Sequence, residues 1–148
     1  VDISSPQNQR IKELVKLQRN RYRAKTGRLI VEGVRLVEEA LETGFLQEAY
    51  ASRQLENSER GRTLIQWLKL RSIPLWTCSP EALQKGGETS TNPGIVGIAS
   101  QPHADLHRQT VGGNGFVLWA DEIGDPGNLG TLIRTAAAAG ADAVMLSA

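Results

Sequence analysis

Three glycines, an asparagine and an arginine near the end of the chain carry the most chemistry. Gly124, Gly127 and Gly130 recur every third residue around Asp125, Pro126 and Asn128, and Arg134 follows four residues later. Glycines let the backbone approach a ligand closely, and a helix starting here turns its positive end toward the loop. That combination suits a phosphate or another anion. Asn128 has the side chain of a helix cap and an amide that can also hold a ligand. The Arg134 guanidinium can grip a phosphate through two parallel N–H groups. The residues alone leave two readings open: a ligand site, or a tight turn with Arg134 in a surface ion pair.

A strand, a loop and a helix must position these groups. Residues 116–120 form a short apolar run closed by Asp121, the pattern of a buried strand. Residues 124–128 pack turn formers too densely for a helix or a strand. From Leu129 the pattern is helical: Leu129, Leu132, Ile133, Ala136 and Gly140 fall on one face, and Gly140 is placed to end the helix. Residues 143–146 are a second apolar run. The sequence therefore predicts strand–loop–helix–strand, the repeat of a parallel α/β sheet.

The string Asp125-Pro126-Gly127-Asn128-Leu129-Gly130, followed by Arg134-Thr135-Ala136 and Gly140, resembles the first signature motif of the SpoU/TrmH family. These are RNA ribose 2′-O-methyltransferases of the knotted SPOUT class. Upstream, residues 28–35, with Glu32-Gly33 and Arg35, resemble the opening of that family's substrate-binding domain. Residues 91–99, Thr91-Asn92-Pro93-Gly94-Ile95 onward, resemble the segment that closes it. Pro93 and Gly94 adjoin here, where the family has one more residue between them.

The resemblance implies an α/β fold in two parts. Residues 1–101 would form an α/β/α layered RNA-binding domain, with a basic N-terminal helix, similar to that of some ribosomal proteins. Residues 115–148 would begin a SPOUT (knotted, Rossmann-like) methyltransferase domain with its first β-α-β, and residues 102–114 would be the linker. The same resemblance implies Arg134 and Asn128 as catalytic residues and Asp125, Pro126, Gly130 and Thr135 as motif support. Arginine is a poor base, so the role expected of Arg134 is to grip the adjacent phosphate and stabilise the forming alkoxide. S-adenosylmethionine is the implied methyl donor and RNA, ribosomal RNA in particular, the implied substrate. Two further family motifs build the knot, most of the cofactor pocket and much of a homodimer interface; neither occurs before Ala148. The chain opens on Val1 and stops in a strand. The expectation is an N-terminal fragment that is inactive alone.

Charge is unevenly spread. Residues 1–35 hold nine Lys/Arg against three Asp/Glu, although the whole chain sums to +1. Such asymmetry is what a basic face directed at a partner produces. Ser5-Pro6 reads as a helix start. Ile11, Leu14 and Val15 form the apolar stripe, with Gln18 and Tyr22 at its margin, and Arg10, Lys12, Lys16 and Arg19 occupy the other faces. The basic run continues through Arg21, Arg23, Lys25 and Arg28 around Tyr22. Basic residues interleaved with an aromatic suit an RNA backbone and an unstacked base, and a solvated helix face is the bland alternative. Only Glu13 stands among these charges. The predicted RNA-binding set is Arg19, Arg21, Arg23, Lys25, Arg28 and Arg35.

The remaining pattern predicts strands at 29–31, 46–51, 73–77 and 94–99. Between them lie a helix with Val34, Val37, Ala40 and Leu41 inward and Glu38, Glu39 and Glu42 outward, a helix of Leu64, Ile65 and Leu68, and a short helix after Ser79-Pro80. The first helix ends at Gly44. No apolar run is long enough to span a membrane, and the polar opening lacks the apolar segment of a signal peptide, so a cytoplasmic location is expected. Cys78 stands alone, which excludes an internal disulfide and a cysteine metal cluster. His103 and His107 have metal-pair spacing but lack an evident third ligand, so no metal is expected. A non-catalytic RNA-binding module is the alternative function. A nucleotide-binding protein is a further one, against which stands the lack of G-K-[ST] and G-x-G-x-x-G.

Overall fold

Successive side chains of a strand point to opposite faces, so the unbroken apolar run of residues 95–99 needs cover on both sides. The computed structural model describes residues 2–87, 94–102 and 115–147. The chain divides into two compact units, Val1–Pro102 and His103–Ala148. The first runs β1 (Asp2–Ile3), α1 (Gln9–Leu17), α2 (Asn20–Thr26), β2 (Arg28–Glu32), α3 (Val34–Glu42), β3 (Leu46–Ser52), a 3-10 turn (Arg53–Asn57), α4 (Glu59–Leu70), β4 (Leu75–Cys78), α5 (Pro80–Gly86) and β5 (Ile95–Ser100). The strands form one sheet in the order β1-β4-β3-β5-β2. β1, β4 and β3 run parallel, while β5 is antiparallel to both β3 and β2.

The two sides of β5 reach two separate cores. Ile95 and Ala99 pack with Val37, Ala40 and Leu41 of α3 and Leu64, Ile65 and Leu68 of α4. Val96 and Ile98 pack with Ile11, Leu14 and Leu17 of α1 and Ala82 and Leu83 of α5. The sheet is thus the middle of an α/β/α sandwich, with α3 and α4 on one face and α1 and α5 on the other. Between Ile95 and Ala99 a side chain has no room: a Cβ on Gly97 would meet Leu46 Cδ1 at 2.7 Å and Val31 Cγ2 at 2.9 Å.

Several local readings change. Ser5-Pro6 does not start a helix. Asn8 N–H donates to the Ser5 carbonyl at 3.0 Å, closing a turn with proline at its second position, where its fixed φ fits. The cap of α1 is Asn8, whose Oδ1 accepts from Arg10 N–H at 2.9 Å. The buried stripe of α1 is Ile11, Leu14 and Leu17, and Val15 is only half-buried. The basic stretch breaks between α1 and α2 rather than continuing as one helix. Glu38 is not simply outward: it is held by Arg60, and its side chain is only 14% exposed. Strand β4 begins at Leu75, after Pro74, which has no N–H to give a ladder. The two-residue β1 pairs Asp2 with Thr77 and Ile3 with Cys78, and is too short to show as a periodic pattern.

The second unit is β6 (Val117–Ala120), α6 (Pro126–Ala138) and β7 (Ala143–Leu146). β6 and β7 pair in parallel, from Val117 with Ala143 to Ala120 with Leu146. Asp142 ties the near ends together, its Oδ2 accepting from Phe116 N–H at 2.8 Å. At the far ends Ser147 N–H donates to the Ala120 carbonyl and the Ser147 hydroxyl donates to Asp121. Gly140 does end the helix. At φ +79° it lets its own N–H reach the Ala137 carbonyl and Ala141 N–H reach the Ala136 carbonyl. Residues 88–93 and 103–114, which include most of the expected linker and both histidines, lie outside the described residues. Among the described residues no helix is long and apolar enough to cross a membrane.

Candidate nucleic-acid interface and catalytic motif

The basic residues of α1 and α2 separate into two groups once their partners are known. Arg23 faces inward, donating to the carbonyls of Leu17 and Gln18 at 2.9 Å each and to the Asn20 side chain. It pins the break between the two helices. Arg28 and Lys16 both approach the Glu13 carboxylate, and Arg10 pairs with Glu48 at 3.1 Å while stacking 3.7 Å from the Trp76 ring centroid. These cations are partly spent on the fold. Arg19, Arg21 and Lys25 differ. With Lys16 and Tyr22 they line an open concavity of about 470 Å³, and none of the three has an ion-pair partner among the described residues. Arg35 stands exposed in the first turn of α3, outside that concavity.

Glu13 organises this surface, and sequence reasoning gave it no role beyond a lone negative charge. Its Oε1 accepts from the Tyr22 hydroxyl at 2.8 Å and from Arg28. The hydrogen bond to Glu13, ahead of burial, raises the Tyr22 phenol above its ordinary pKa. Gln18 adds a second tie: its side-chain amide donates to the Gly87 carbonyl at 2.7 Å, joining the end of α1 to the end of α5. On the same core side, burial pushes the Cys78 thiol up to about 11, which keeps it protonated at neutral pH.

In the second unit the glycine-rich loop becomes helix earlier than its composition suggests. Asp125, not Asn128, caps α6: its Oδ1 accepts from Asn128 N–H at 2.7 Å. Pro126 is the first helical residue, where its missing N–H costs nothing. Asp, Pro, Gly and Asn are turn formers, but they are also the residues of a capped first turn, and the cap decides. Asn128 is exposed, and its amide has no hydrogen-bond partner among the described residues.

Arg134 lies more than two turns from Pro126 yet is held back toward the helix start. Its Nη2 donates to Thr131 Oγ1 at 3.2 Å, and the Thr131 hydroxyl donates in turn to the Gly127 carbonyl at 3.0 Å. A Cβ on Gly130 would lie 3.2 Å from Arg134 Nη1, so glycine there leaves the space the guanidinium fills. Thr131 is the residue the motif does not name. An i, i+3 spacing of Thr and Arg on a helix is its only sequence signal. Thr135 is exposed. Arg134 is exposed too, and Thr131 takes only one of its five N–H groups, so donors remain for an anion.

The family described as the MRM3-like substrate binding domain matches residues 8–97. A 23S rRNA (guanosine(2553)-2'-O)-methyltransferase, RlmP, of Bacillus subtilis is 37% identical over 145 residues, covering 97% of this chain and 53% of that protein. A crystal structure of an RNA 2'-O ribose methyltransferase superposes with a TM-score of 0.81 at 30% identity, covering 100% of this chain and 56% of the other. The SpoU methyltransferase AviRb of Streptomyces viridochromogenes, in complex with AdoMet, superposes with a TM-score of 0.75 at 28% identity, over 95% of this chain and 53% of the other. The chain spans about half the length of these relatives. With its match over residues 8–97 and its motif from Asp125 to Gly140, the chain belongs to the MRM3-like substrate-binding domain family of the SpoU/TrmH methyltransferases.

Proposed function

We propose that the protein, at the full length of these relatives, methylates a ribose 2′-hydroxyl of RNA, with ribosomal RNA as the substrate. The observation that carries this reading is the Arg134 guanidinium held across Gly130 by Thr131, with donors left over at the start of α6. In this reading Arg134 takes the phosphate beside the target ribose and offers an N–H to the alkoxide that forms as the hydroxyl loses its proton. Asn128 positions the ribose or its neighbour through its unengaged amide. Asp125 and Pro126 set the first turn, Gly130 leaves room, and Thr135 lies beside Arg134 as support. S-adenosylmethionine supplies the methyl group when bound. These side chains of α6 are assigned to the RNA, and no residue of this chain is assigned to the cofactor. A homodimer and a cytoplasmic location belong to the same reading.

Methylation of a 2′-hydroxyl makes the adjoining phosphodiester resistant to alkali, because that hydroxyl is the attacking group. Transcribed ribosomal RNA treated with the protein at its relatives' length and S-adenosylmethionine should gain one alkali-resistant position. An unchanged alkaline ladder, with methyl groups found on bases or not at all, would refute the assignment.

Residues 1–101 are the substrate-binding part of this proposal, and Arg19, Arg21 and Lys25 its principal phosphate contacts. Each phosphate neutralised on a single strand contributes about −0.7 to the slope of log K against log salt. Replacing all three cations by alanine should flatten that slope by about 2, measured by fluorescence anisotropy with a labelled single-stranded RNA. Equal replacement of Arg10 and Lys12 should flatten it less, and a slope that none of these changes moves would count against the assignment.

A further inference from the structure

Tyr22 is placed as a base-binding platform. It lines the same concavity as Lys16, Arg19, Arg21 and Lys25, and it packs against the core cluster that contains Ile11, Leu14 and Leu17. Its hydroxyl is fixed by Glu13 at 2.8 Å, and Glu13 is fixed in turn by Arg28. The ring is therefore oriented before any ligand arrives, which removes most of the ordering cost of stacking on it. Lys16 Nζ stands 5.8 Å from the ring centroid, at the outer limit of a cation–π contact. Three cations without ion-pair partners among the described residues stand around this ring. A flat apolar face ringed by cations matches a nucleobase with its phosphates on either side.

We propose that Tyr22 stacks on an unpaired base of single-stranded RNA while Arg19, Arg21 and Lys25 hold the flanking phosphates. The inference rests on the RNA-binding reading above and narrows it: a base inside a duplex has both faces covered by its neighbours and cannot use this ring. The competing role for Tyr22 is structural, as the anchor that ties α2 to Glu13. The two roles use different parts of the side chain, one the ring and the other the hydroxyl.

The test uses this chain and a fluorescein-labelled 12-nucleotide single-stranded RNA, with the same sequence as a blunt duplex for comparison. Tyr22→Phe keeps the ring and removes the hydroxyl, and should bind the single strand within about threefold of the unaltered chain. Tyr22→Leu should weaken single-strand binding about tenfold or more, with duplex binding changed less than about twofold. With the unaltered chain, an abasic site scanned along the RNA should weaken binding at one position, a readout that does not depend on how the leucine variant folds. Salt-dependent RNA binding that is indifferent both to Tyr22→Leu and to every abasic site would overturn the stacking role and leave the RNA-binding reading intact. A chain that binds neither RNA form at low salt would overturn both.

Discussion

Arg134→Lys should lower the single-turnover rate of methyl transfer about a hundredfold or more in the protein at its relatives' length, with the melting temperature unchanged within about 2 °C. Arginine offers five N–H groups in a rigid plane, and here one of them is taken by Thr131 Oγ1. In the proposed role the other four serve a phosphate and a neighbouring oxyanion at the same moment. A lysine ammonium is a point charge on a flexible stem. It can satisfy either Thr131 or the phosphate, but it cannot span both with parallel donors. Loss of one preorganised donor at a developing oxyanion costs about 10²–10³ in rate. Folding should not notice, because Arg134 is exposed and its one hydrogen bond among the described residues is a surface one. Thr131→Val should follow at a smaller scale, since it releases the guanidinium without removing it, and Thr131→Ser should restore the rate. Wild-type turnover in Arg134→Lys would remove Arg134 from catalysis.

The parts of this molecule that were legible in its sequence are those governed by local periodicity. The helix of Val37, Ala40 and Leu41 follows from a spacing of 3.6, its end from Gly44, and the strand from Ile95 to Ala99 from an unbroken apolar run. What could not be read is non-local. Nothing local distinguishes β5, antiparallel between β3 and β2, from a parallel strand; only the finished sheet makes the difference. Asn128 reads as the cap of α6 because asparagine is a good one, but Pro126 needs the first helical position and so moves the cap to Asp125. The division of the basic residues was invisible for a different reason. Glu48 lies 38 residues from Arg10, and the carbonyls that hold Arg23 are backbone atoms, which no side-chain pattern reveals. In the candidate site the motif names Arg134 but not Thr131, whose hydroxyl meets the guanidinium only once the helix is wound.

Gly61→Ala reverses sign between a sequence argument and a structural one. Alanine in a helix is better than glycine by about 1 kcal/mol, so propensity alone predicts a more stable chain. Gly61 sits in the first turn of α4, and its N–H donates to the hydroxyl of the cap residue Ser58 at 3.0 Å. A Cβ there would lie 2.0 Å from the Leu55 carbonyl oxygen and 2.8 Å from Ser58 Oγ. The first of these is backbone, so no rotamer change relieves it. Either the 3-10 turn shifts, dragging Leu55 from the core it fills, or the first turn of α4 unwinds and loses its cap. Overpacking of this kind costs about 3 kcal/mol, well above the propensity gain. The first unit has the size at which about 1 kcal/mol moves the melting point by about 4–8 °C, so Gly61→Ala should lower it by about 10 °C or more, read by circular dichroism at 222 nm. A higher melting point would mean that the turn yields cheaply and helix propensity wins. Because α4 packs on the opposite face of the sheet from α1, the folded fraction of this variant should keep its RNA affinity, and binding should fall only as the folded fraction does.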